Sequence, residues 1–245
     1  MVHVEVAVQD SEGARVARVC GADRVELCQS LDCGGLTPSA GLIAATVGEA
    51  QTWPLIRPRP GGFQYSDREV GVMADDVRRA LDAGAAGVVV GALTGDLRVD
   101  RSACARLASA AAEFGAAPVT FHRAFDVVAD RLTALAELVE LGFVRVLTSG
   151  GAATARLGIA ELSRLALAAA GRIEILAGGG VTAADVPALI EAGVDGVHLS
   201  ARAFGAGWAG PVGCGSRIEF PGDPADRFDV TDAGLVAAAV AAARR

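Results

Sequence analysis

Cys20-Gly21-Ala22-Asp23-Arg24-Val25-Glu26-Leu27 is the stretch that decides the fold, because the same figure returns three times along the chain. It comes back as Ala83-Gly84-Ala85-Ala86-Gly87-Val88-Val89-Val90, as Leu141-Gly142-Phe143-Val144-Arg145-Val146-Leu147, and as Ala192-Gly193-Val194-Asp195-Gly196-Val197-His198-Leu199. Each copy reads as a helix end, a glycine C-cap and the first residues of an apolar strand. The copies stand roughly a quarter of the chain apart and precede the second, fourth, sixth and eighth strand candidates. That periodicity favours a closed barrel over an open doubly wound sheet.

Working outward, short apolar runs alternate with alanine- and leucine-rich helical stretches, the signature of an α/β protein. Strands are expected at Val2–Ala7, Arg24–Leu27, Trp53–Arg57, Gly87–Gly91, Pro118–Phe121, Arg145–Thr148, Ile173–Ala177 and Gly196–Ser200. Ser66-Asp67-Arg68-Glu69 reads as a capping box, Thr37-Pro38 as a cap with proline at the first helical position, and Thr182–Asp185 as a weaker box. The 245 residues suit one (β/α)8 TIM barrel spanning residues 1–245. One long Gly/Pro-rich loop is expected at about 202–230.

Composition narrows the function. The net charge is −7 and no basic cluster is longer than a pair, which argues against nucleic acid. No signal peptide or membrane-spanning run is read, so a cytoplasmic location with no membrane partner is expected. The cysteines (Cys20, Cys28, Cys33, Cys104, Cys214) are odd in number and irregularly spaced, which suits a reducing compartment. All 22 basic residues are arginine. Without a lysine amine, Schiff-base aldolase and pyridoxal chemistry are excluded, and an enzyme on this chain would be a lysine-independent lyase or isomerase.

Alternation along the strands places His3, Glu5 and Ala7, then Arg24, Glu26 and Cys28, then His198 and Ser200 toward the barrel axis. Strand three ends in Arg57-Pro58-Arg59 and strand five in Thr120-Phe121-His122-Arg123. Charges converging inside a barrel must be paired, or serve a site at the carboxyl ends of the strands. Glu5, Glu26, His122, Arg123, Asp126 and His198 are the candidate catalytic groups. Arg57, Arg59, Ser149, Ser200 and the backbone of Gly178, Gly179 and Gly180 are the candidate anion-binding groups. The triple glycine follows strand seven, where barrels often hold phosphate. Cys28 and Cys33, in C-x4-C spacing, are the candidate soft ligands for Cu(I).

The residues resemble a known family, the copper homeostasis protein CutC family of TIM barrels. The resemblance is carried by Gly21–Cys28, Gly34-Gly35-Leu36-Thr37-Pro38-Ser39, Ile56-Arg57-Pro58-Arg59, and Phe63 with Tyr65-Ser66-Asp67. It continues in Thr120-Phe121-His122-Arg123-Ala124-Phe125-Asp126, Arg145–Gly150 and Val197-His198. It implies a cytoplasmic homo-oligomer, dimers foremost, linked to copper tolerance, with Cu(I) bound through cysteines. The family's first strand typically reads Glu-Val-Cys, whereas Glu5-Val6 is followed here by Ala7. Two functions are therefore expected. One is copper homeostasis through Cys28 and Cys33. The alternative is acid–base catalysis on a small anionic or phosphorylated metabolite at the carboxyl mouth of the barrel.

Overall fold

A computed structural model of the chain describes residues 2–205 and 228–245. Eight parallel strands run β1 His3–Val8, β2 Arg24–Leu27, β3 Thr52–Pro54, β4 Val88–Val90, β5 Val119–Phe121, β6 Arg145–Thr148, β7 Glu174–Gly178 and β8 Gly196–Leu199. Their order in the sheet is β3-β2-β1-β8-β7-β6-β5-β4, so sequence neighbours are spatial neighbours all the way round. The helices between them are α1 Ser11–Val19, α2 Ala40–Thr46, α3 Asp67–Asp82, α4 Arg101–Ala112, α5 Arg131–Glu140, α6 Ile159–Ala169, α7 Val186–Glu191 and, after β8, α8 Ala233–Ala243. The (β/α)8 barrel expected from the sequence is the fold.

Closure occurs between β3 and β4, through a parallel bridge Leu55↔Val89 and the bond from Ile56 N–H to the Val89 carbonyl at 2.8 Å. Thr52 and Ile56 both bond toward β4, so Pro54, two residues from each, points its nitrogen to the same side. Proline has no N–H to give, and the seam is a bridge instead of a full ladder. The same residue ends β3 three residues before the expected Arg57.

The fourfold repeat has a shared geometry. Gly21, Gly84, Gly142 and Gly193 all hold φ between +79° and +98°, the left-handed conformation that glycine adopts without strain. In every copy the N–H just before or opening the even strand bonds back to the preceding odd strand: Asp23 to Val4, Ala86 to Thr52, Val144 to Val119 and Asp195 to Ile175, at 2.9–3.0 Å. Asp23 and Asp195 return the bond with their side chains, accepting from Val4 N–H at 2.7 Å and Ile175 N–H at 2.8 Å.

Two apolar layers result. One lies between the barrel and its helices and includes Val4, Val6, Val25, Leu27, Phe121, Ile175 and Val197. The other lies inside the barrel, where Cys28, Trp53, Leu55 and Val89 pack together. Ser66 makes the expected capping box with Glu69.

Three local readings change. Ser39, not Thr37, caps α2, while the Thr37 hydroxyl accepts from Arg57 N–H at 2.8 Å and pins the end of β3. Thr182–Asp185 forms a turn closed by the Asp185 carboxylate, and α7 begins only at Val186. The loop expected at 202–230 lies mostly outside the described residues. Its two ends, β9 Arg202–Phe204 and β10 Asp229–Thr231, pair as an antiparallel ribbon.

Asp23 also binds Arg244 beyond α8 at 2.7 and 2.8 Å. Asp23→Ala should therefore cost more stability than Asp195→Ala, within about 1–3 kcal/mol. Urea unfolding of the two variants measures the difference, and equal midpoints would remove the extra role given to Asp23.

Candidate functional site

The carboxyl end of the barrel opens on a cavity of about 440 Å³. Its polar lining comes from Glu26, Arg57, His122, Arg123, Asp126, His198 and Ser200, with the backbone of Gly179 and Gly180. Its apolar lining includes Leu31, Leu55, Phe63, Leu147 and Ala7. Each strand contributes through the period-two rule: Glu26 from β2, the residues after β3 and β5, and His198 from β8.

Below the cavity floor lies an ion network. Glu5 is 1% exposed and accepts from Arg24 Nε at 2.6 Å. Its other oxygen meets His198 Nδ1 at 2.8 Å. Glu174 accepts from Arg145 Nε at 2.7 Å and lies 3.7 Å from Arg24 Nη2. Both arginines also pack on Trp53, Arg145 at 4.4 Å and Arg24 at 5.9 Å from its ring centroid. Buried ions are strongly desolvated, so each member depends on the others for its charge.

The protonation states follow from these contacts. Burial alone would raise the Glu5 carboxyl, but the His198 hydrogen bond and the charges of His198, Arg24 and Arg145 hold it down to about 2. Burial likewise opposes protonation of His198, and is outweighed by Glu5 and Glu26, so its pKa is raised. Glu26 lies 3.6 Å from His198 Nε2. Burial pushes it up to about 7, against the pull of His198 and with the push of Glu5. His198 thus sits between one carboxylate that stays ionised and one that titrates near neutrality.

His122 differs. Ala124 N–H donates to its Nδ1 at 3.1 Å, so the neutral ring carries its proton on Nε2. Burial and the charge of Arg57 push its pKa down to about 3, and Nε2 has no partner among the described residues. His122 is therefore neutral, with a donor at Nε2 that no described residue accepts. Gly91 makes this possible, since a Cβ there would lie 2.5 Å from the imidazole.

Arg57 donates to the carbonyls of Cys33, Gly35 and Gly61 at 2.8–3.0 Å and has no carboxylate partner among the described residues. It packs over Phe63, which in turn contacts His122, with ring centroids 5.0 Å apart. This forms one wall of the cavity.

Other expected residues have different places. Asp126 accepts from Thr148 Oγ1, Ser149 N–H, Gly151 N–H and Arg123 Nε, so its oxygens are already engaged. Arg123 also donates to Ser149 Oγ. Ser149 and Gly178 are buried behind the cavity, and Gly178 leaves room for His198. Gly179 and Gly180 do line it; the φ of +106° at Gly179 lets its backbone pass under the Arg123 guanidinium. Arg59 is bound to Glu69 and the carbonyls of Gly62 and Gln64, away from the cavity. Arg145 and Glu174 escaped the sequence reading, although alternation on β6 and β7 carries the signal.

Cys33 lines the cavity and donates to Ser30 O at 3.2 Å. Cys28 is fully buried outside the lining, and burial, then Glu26, push its thiol well above the usual range. Among the described residues no cluster of three or more His, Cys, Asp or Glu suits a metal ion. Burial and the neighbouring Glu26 both oppose the Cys28 thiolate, the form that would hold Cu(I).

The pKa of Glu26 sets a pH dependence. A carboxyl raised from 4.5 to about 7 by folding supports the fold below pH 4.5, and that support is lost as pH rises through about 7. Glu26→Gln should therefore be more stable than the parent at pH 8.5, with the gap closing toward pH 5. Urea midpoints at both pH values test this, and a gap independent of pH would contradict it.

Residues 2–203 match the model of the CutC family. The chain is 42% identical over 204 residues to a CutC family protein of Pasteurella multocida, covering 82% of each. It is 44% identical over 202 residues to the copper homeostasis protein cutC homolog of Homo sapiens, covering 81% of this chain and 73% of that one. The crystal structure of a copper homeostasis protein CutC from Streptococcus agalactiae superposes with a TM-score of 0.76 at 32% identity, over 82% of this chain and 99% of that one. An aldolase, QR15, shares the fold alone, with a TM-score of 0.62 at 15% identity. The chain belongs to the CutC family.

Proposed function

We propose that the barrel mouth is an enzyme site that binds a small anionic metabolite and moves protons on it. One observation carries the reading: His198 is held by Glu5 on one side and faces Glu26 across 3.6 Å on the other, at a cavity both residues line. A carboxyl pushed up to about 7 beside a histidine whose pKa is raised supplies the base and the acid that proton transfer needs. Glu26, ionised, accepts a proton from the ligand, and His198 Nε2–H returns one. The neutral His122 Nε2–H stabilises negative charge developing on a ligand oxygen, and the uncompensated Arg57 draws the anion in. With no lysine in the chain, the chemistry is a lyase or isomerase step without an imine.

The test is proton exchange from deuterated water into a panel of small hydroxy-carbonyl phosphates and carboxylates, followed by NMR. The parent should exchange at least one panel member. Glu26→Gln and His198→Gln should lose about 100-fold or more. No exchange by the parent, or undiminished exchange in both variants, would overturn the reading.

Copper handling is the second reading, favoured by the copper homeostasis names of the relatives and by Cys33 at the cavity. Anaerobic Cu(I) titration against a competing chelator tests it. Tight binding weakened in both Cys28→Ser and Cys33→Ser supports a shared site, and affinity unchanged in both removes it.

A further inference from the structure

The cavity presents one set of open acceptors and one uncompensated cation. Two carboxylates line it, Glu26 and Asp126. Asp126 has its oxygens occupied by Thr148, Ser149, Gly151 and Arg123. Glu26 is 5% exposed and accepts no hydrogen bond among the described residues; its one polar neighbour, His198 Nε2, stands at 3.6 Å, beyond bonding range. Two arginines line the cavity as well. Arg123 is paired with Asp126 at 2.8 Å, whereas Arg57, 6% exposed, donates to three carbonyls, packs over Phe63 and pairs with no carboxylate among the described residues. Glu26 lines the cavity, so a ligand hydroxyl can replace the solvent at its carboxylate, and a hydrogen bond to a charged acceptor is among the stronger ones.

From this accounting we infer that Glu26 is the specificity-determining residue of the site, selecting anions that also carry a hydroxyl group, such as a hydroxy acid or a polyol monophosphate. The ligand hydroxyl donates to Glu26 while its anionic group answers the charge of Arg57. Glu26 and Arg57 line the same cavity of about 440 Å³, so the two groups are placed on one small molecule. Ser200 offers the cavity a neutral hydroxyl, whereas Glu26 offers the charged acceptor. A simple anion leaves Glu26 unanswered and places a second negative charge beside it. The inference rests on the anion site proposed above and adds the hydroxyl requirement to it.

The experiment compares matched ligands by isothermal titration at pH 8, where Glu26 is ionised. Glycerol 3-phosphate is set against propyl phosphate, and glycerate against propionate; the two pairs separate a phosphate from a carboxylate preference. In at least one pair the hydroxylated member should bind about ten-fold or more tighter, the gain expected of a hydrogen bond to a charged group. Glu26→Leu should level that pair by weakening the hydroxylated member alone. Glu26→Gln keeps the side-chain size and one acceptor, and should give an intermediate ratio, which guards against a folding defect in the leucine variant. Equal binding within both pairs by the parent overturns the inference and leaves the anion site standing. A preference that survives in Glu26→Leu also overturns it. Failure of all four ligands to bind overturns the anion site and the inference together.

Discussion

Glu5 is an ionised carboxylate at the centre of the barrel, gripped by Arg24 at 2.6 Å and by His198 at 2.8 Å. Its desolvation is tolerable only because both partners are charged and both bond to it. The rest of the site hangs on that grip. It fixes the imidazole with Nδ1 down, so Nε2 faces the cavity and Glu26. It also raises the pKa of His198, whose charge favours the ionised form of Glu26. Removing Glu5 would leave Arg24 and Arg145 sharing one anion, Glu174, among the described residues.

The barrel and its site are joined by the same register. Glu5 pairs in the ladder with Arg24 on one side and His198 on the other, and Ala7 pairs with Glu26. A slip of one residue in β1 would turn Glu5 into the apolar layer beneath the helices and put Val4 or Val6 on the axis. The ion network therefore enforces the strand register that creates it. Just beyond β3, Arg57 is tied to the loop between β2 and α2 through Thr37, Cys33 and Gly35. Arg57 thereby holds two loops at the rim and leaves its charge facing the cavity.

Much of the site was legible because a strand has a period of two. Glu26, His122 and His198 follow from alternation and from their places near strand ends. Cys28 follows the same rule onto the axis, but the rule does not distinguish a cavity wall from a sealed interior. Leu55 and Trp53 close over its thiol, and that depends on the sizes of residues from other strands. The assignment of Asp126 as catalytic met a similar limit. Its carboxylate is consumed by donors from a loop more than twenty residues on, a contact no local pattern announces.

By itself the sequence determined the (β/α)8 barrel, its four repeated helix-to-strand turns, the exclusion of imine chemistry and the set of polar residues on the axis. These are local matters of periodicity, glycine conformation and composition. Only the tertiary structure decided which of those polar groups are spent on one another and which remain open. Hydrogen-bond satisfaction and desolvation are settled by neighbours from distant strands. That is why Glu5, Asp126 and Arg59 are consumed in holding the structure, while Glu26, His122 and Arg57 face the cavity with bonds still to make.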